Sequence, residues 1–131
     1  MRFTEQEMTV GLTACAKAVV AAQRRGRRKR EDVEQMWAQM TRFERFSALD
    51  QLGSQVLPVL VALPDVDVEP GTRPTFTDAQ ITEAVEARLG EEGGRLKRAV
   101  ALKARVELVR IALAAMPPRQ DPDALIVPDH L

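Results

Sequence analysis

Few residues of this chain are equipped to do chemistry, and their types and spacing set narrow limits on what that chemistry is. The single histidine, His130, stands next to last in the sequence, in a proline-containing stretch. Acid–base or nucleophilic catalysis needs an imidazole held in fixed geometry against a partner. Without a second histidine there is no His-pair metal site and no Cys/His dyad to expect. Cys15, the one cysteine, falls on the apolar stripe of an alanine-rich segment. That is the setting of a buried, inert thiol rather than a nucleophile. Asp65, Asp67 and Glu69 alternate along an extended segment, so three carboxylates could face one way and offer oxygens to a hard cation. The ligand spacing of an EF-hand loop is missing, and so are a phosphate-binding glycine loop, a nucleophile elbow and zinc spacing. The expectation is a non-enzymatic chain with no catalytic, cofactor-binding or metal-ligating set, and no cofactor.

The loudest feature is basic. Arg24, Arg25, Arg27, Arg28, Lys29 and Arg30 put six cations into seven residues around Gly26. A connector of this kind can grip phosphates, and full engagement on a duplex would give log affinity a slope of about −5 against log salt. Arg95, Lys97 and Arg98 could extend the patch as a helix enters a groove. Opposing features are present too. No aromatic residue lies within the run for base stacking. The chain carries 19 cations and 19 anions, and arginine outnumbers lysine 15 to 4 throughout. Glu31, Asp32 and Glu34 follow directly and can neutralise the run. These nine basic residues are the candidate phosphate contacts of a second, nucleic-acid-binding reading.

Trp37, Met36, Met40, Phe43 and Phe46 hold most of the aromatic and methionine content, at helical spacing that suggests core. Trp37 and Met40, with the apolar Leu125, Ile126 and Val127 near the end of the sequence, are the candidates for a partner surface.

The elements that position these residues are helices. The longest runs over 95–116, with Leu96, Ala99, Leu102, Val106, Val109, Leu113 and Met116 recurring at steps of three and four. Apolar residues thicken toward its C-terminal end, as in a helix passing from the surface into a core. Pro117 and Pro118 stop it. The first helix opens at Thr4, with Glu7 completing a capping box and Phe3 and Met8 set for a hydrophobic staple, and it ends near Gln23. Thr77, Gln80, Phe76 and Ile81 repeat the signal and start a third helix over about 78–89. Two segments so alike, each followed by a connector and a second helix, suggest paired hairpins; good caps resemble one another without common ancestry.

The second helix begins near Glu31 and is expected to bend or break between residues 46 and 58. Ser47 with Asp50 offers a fresh cap, and Pro58 removes a helical hydrogen bond. Residues 56–63 are short enough to read as helix or strand. The connector from Pro64 to Pro74 is extended and turn-rich. The fold expected is all-α: four main helices packed as two antiparallel hairpins in a single domain over 1–116, followed by a proline-rich tail over 117–131.

The totals fit that architecture. A chain of 131 residues buries enough apolar surface to fold without staples. One cysteine excludes an internal disulfide and suits a reducing compartment. Glu5 and Glu7 precede the first apolar stretch and Lys17 interrupts it, unlike a signal peptide, and no run has the length of a membrane span. A cytoplasmic location is expected. Residues 1–30 are basic, 31–69 acidic and 95–116 basic again, so neutrality comes from opposed blocks that can pair within one fold or between subunits. The function expected first is a helical protein-interaction module, an adaptor or a self-associating homo-oligomer. No membrane partner is expected.

Overall fold

Three threonines decide where three of the five described helices begin. The computed structural model of the chain describes residues 1–23, 30–90 and 93–119, with the side chains of 30–32 excepted. Its helices are α1 (Glu5–Gln23), α2 (Arg30–Gln39), α3 (Arg42–Ala62), α4 (Asp78–Glu86) and α5 (Gly94–Ala115), and no strand occurs among the described residues. At α1 the Thr4 N–H donates to the Glu7 carboxylate at 2.8 Å, while the Glu7 N–H donates to the Thr4 hydroxyl at 3.0 Å. Thr77 and Gln80 make the same reciprocal pair at α4. Each box satisfies backbone donors that a helix start leaves orphaned.

The third box, Thr41 with Glu44, sits where the sequence reading has none, and it moves the expected break. The interruption comes at Met40–Thr41, and α3 then runs through Phe46, Ser47 and Pro58 without a break to Ala62. The corner is fixed from both sides. The Arg45 guanidinium donates to the carbonyls of Trp37, Ala38 and Met40 at 3.1, 3.3 and 2.7 Å, covering acceptors at the end of α2. Pro58 costs about 3 kcal/mol in a helix interior. Val56, Val59 and Leu60 around it are fully buried, and burying each contributes about 1.5–3 kcal/mol. Packing wins, and residues 56–62 are helix.

Chain direction follows from the contacts. The Met1 amine bonds the carbonyls of Val61 and Leu63, and Leu12 stands against Gly53, so α1 is antiparallel to α3. Cys15 donates to the Leu108 carbonyl at 3.1 Å and Gly11 faces Ala112, so α1 is antiparallel to α5 as well. A β-carbon on Gly11 would lie 3.0 Å from the Ala112 carbonyl oxygen; the missing side chain is what allows this approach. The hairpin of α4 and α5 closes through Gly93, whose φ of +91° glycine tolerates best. There α4 ends at Glu86 rather than Leu89, its last residues tightening into a short turn. Packed pairs are α1 with α2, α3 and α5, α4 with α3 and α5, and α3 with α5. The two hairpins therefore close on one core of Cys15, Val56, Leu60, Val85, Val109 and Met116. The N-terminal half of α5 projects beyond it, with Leu96 and Val100 exposed.

Candidate functional site

Among the described residues one buried carboxylate anchors a polar cluster. Glu7 is the only buried charged residue among those described, at 3% exposure. The Arg119 guanidinium grips it, Nε to Oε2 at 3.0 Å and the terminal nitrogen to Oε1 at 3.2 Å, and also donates to the Arg2 carbonyl at 2.6 Å. Phe3 lies under the same guanidinium, 5.9 Å from ring centre to carbon. Burial pushes the Glu7 carboxyl up, but the bonds from Arg119 and Thr4 outweigh it and hold the pKa below the usual carboxylate range. Backbone bonds between Arg119 and both Gly71 and Thr72 fasten the 64–77 connector to the same point. A carboxylate whose two oxygens are both engaged in this way is a strut, not an acid or base.

Cys15 is fully buried. Burial pushes its thiol up to about 11, so the nucleophilic thiolate is scarce. Asp65, Asp67 and Glu69 are exposed while Val66 and Val68 are half-buried, so the three acids do share the outer side of the connector. Among the described residues, no three His, Cys, Asp or Glu side chains are gathered to hold a metal ion. A shallow cleft of about 650 Å³ lies between the connector, α4 and α5. Its apolar floor includes Phe76, Ile81 and Leu113, and the Arg110–Asp78 ion pair, 2.7 Å long, crosses it. Its lining includes the hydroxyls of Thr72 and Thr75, and its one carboxylate, Asp78, is the one paired with Arg110.

The exposed apolar corner between α2 and α3 is different in kind. Phe43 is 76% and Phe46 65% exposed. Their expected core position is a correction. The inward stripe of α3 runs Arg45, Leu49, Leu52 and Val56, at helical steps of four, three and four. Arg45 takes the core-side place in the first turn to cap α2, and the two phenylalanines fall outside it. Met36 is buried, whereas Trp37 and Met40 are half-buried, Trp37 against the core. Trp37 and Met40, the candidates for a partner surface, are thus half-buried close to this corner in sequence, and Phe43 and Phe46 are the exposed rings that the helical spacing missed. The Thr41–Glu44 box was the signal that could have found them.

Of the candidate phosphate contacts, Arg95 and Lys97 are exposed on the first turn of α5 and Arg98 is half-buried. Arg24, Arg25, Arg27, Arg28, Lys29 and the Arg30 side chain lie outside the described residues, as do Leu125, Ile126, Val127 and His130. Two ion pairs join charges from different parts of the chain, Lys17–Glu34 at 2.8 Å and Arg110–Asp78. No described helix is long and apolar enough to cross a membrane. No family model, curated protein or solved structure matches the chain.

Proposed function

We propose that this chain is a non-catalytic helical interaction module, and that the α2–α3 corner is the surface it offers to protein. The observation that carries the reading is the pair Phe43 and Phe46, two large aromatics left in water on a helix start fixed by a capping box and by Arg45. Leaving one such ring exposed forgoes about 1.5–3 kcal/mol of burial, and aromatic rings with methionine at their side are enriched in interface cores. A rigid corner adds to this, because little ordering entropy is lost on docking. A reducing, cytoplasmic setting belongs to the same reading and is supported by the lone buried thiol of Cys15.

The test is a photo-reactive side chain in place of Phe43, with a second at Lys103, exposed on α5, as control. In the cell that makes the protein, protein adducts are expected at position 43 and not at 103. Absence of adducts at 43 overturns the proposal.

A second reading, nucleic-acid binding, draws on the antiparallel register of α1 and α5. Gly11 meets Ala112 and Cys15 meets Leu108. Continuing that register carries the end of α1, where the basic run starts, toward the turn bearing Arg95, Lys97 and Arg98. Titration of DNA and RNA at two salt concentrations tests it. Retained affinity after replacement of the arginines of 24–30 by serine removes it.

A further inference from the structure

The charges around the exposed rings say which partner fits. Arg42 precedes Phe46 by four residues and Asp50 follows it by four, and all three are exposed. Positions four apart lie about 40° apart around a helix, so a cation, a ring and an anion form one short outward row. A single-signed peptide does not match such a row. The chain's own residues 120–131, whose formal charges are Asp121, Asp123 and Asp129, would set carboxylates against Asp50. The row is instead its own complement: a two-fold axis through Phe46 exchanges positions 42 and 50.

We infer that Phe46 is the centre of a two-fold interface in which α3 lies antiparallel on the α3 of a second copy, Arg42 facing the partner subunit's Asp50 and Phe43 packing beside the paired rings. This rests on the reading of the α2–α3 corner as a protein-docking surface and names the protein. Contacts in such a pair are isologous, so every favourable contact off the axis occurs twice. Parallel pairing would set Arg42 against the partner's Arg42, which selects the antiparallel arrangement. Trp37 and Met40 are half-buried just before α3, and their carbonyls are tied to it by Arg45.

Light scattering and sedimentation across a concentration series of the full chain test the inference, with circular dichroism to verify folding of each variant. The mass is expected to rise from the 14.5 kDa of one chain to twice that value. Phe46→Asp should leave a folded monomer. Arg42→Asp and Asp50→Arg should each weaken the dimer about tenfold, since each breaks two equivalent rim pairs. The double variant R42D/D50R should restore it, because the swapped charges pair again. A dimer indifferent to Phe46→Asp, or single charge variants that the double does not rescue, overturns the interface. A wild-type chain monomeric at every concentration overturns self-pairing; adducts to other proteins at position 43 would then leave the interaction reading standing, and their absence would end both.

Discussion

Glu7 and Arg119 show how one buried charge can organise residues far apart in sequence. The Glu7 side chain is 4% and that of Arg119 28% exposed, so the carboxylate depends on this partner while the arginine retains some water. Arg119→Met should cost about 2–3 kcal/mol in denaturant unfolding, below the loss from a fully enclosed pair. The pH dependence has a definite sign. The folded Glu7 pKa is depressed, so its stabilisation is fully present above the ordinary carboxylate value of about 4.3 and is lost as pH falls through the lower folded value. Unfolding curves of the wild type and Glu7→Gln, compared from neutral to acid pH, should therefore converge on the acid side. Constant separation at all pH values would show that Glu7 is not ionised in the fold. Cys15 gives an independent check at this scale. With its thiol pushed up to about 11 and no solvent access, alkylation at pH 8 should be more than about a hundredfold slower than in the unfolded chain. Equal rates would contradict the burial of α1 against α5.

Two glycines distinguish the helix interfaces. A β-carbon at Gly11 would meet the Ala112 carbonyl oxygen at 3.0 Å and its β-carbon at 3.2 Å, atoms of a helix that cannot swing aside. At Gly53 the nearest atoms are side-chain methyls of Leu57 and Leu12 at 3.6 and 3.8 Å, an ordinary contact. Alanine gains about 1 kcal/mol over glycine in a helix interior, and overpacking costs about 1–3 kcal/mol. Gly11→Ala should thus lower the thermal midpoint, while Gly53→Ala should raise it. The reverse order would mean that α1 and α5 separate more easily than α1 and α3. Among the elements, the helix starts are the most legible in the sequence. Thr4 with Glu7 and Thr77 with Gln80 locate two of them by local pattern, because a box needs only residues three apart. Thr41 with Glu44 carries the same signal, yet Ser47 with Asp50 and Pro58 compete with it. The competition is decided by the burial of Val56, Val59 and Leu60 and by Arg45 reaching back to α2, neither of which is a local property.

Across the molecule, the two hairpins meet where α1 crosses α5, and the residues after α5 return to bind the first turn of α1. Arg119 bonds Glu7, the Arg2 carbonyl, Gly71 and Thr72 together. A chain ended at residue 116 should therefore be less stable than one ended at 119, by about 3 kcal/mol. Equal midpoints for the two would show that the strut carries no load. The lysine and glutamate of the Lys17–Glu34 pair are 27% and 69% exposed, so this link between α1 and α2 contributes little by comparison.

Helical class, the boundaries at Thr4 and Thr77, and the inward stripe at the C-terminal end of α5 were set by the sequence alone. Caps, prolines and three-and-four spacing act within a few residues of themselves, so local order suffices to express them. Only tertiary structure decided that Phe43 and Phe46 face water, that Pro58 stays inside a helix, and that Arg119 holds Glu7. In each case the outcome depends on which side chain wins a buried position against competitors from elsewhere in the chain, and that contest exists only once the helices have met.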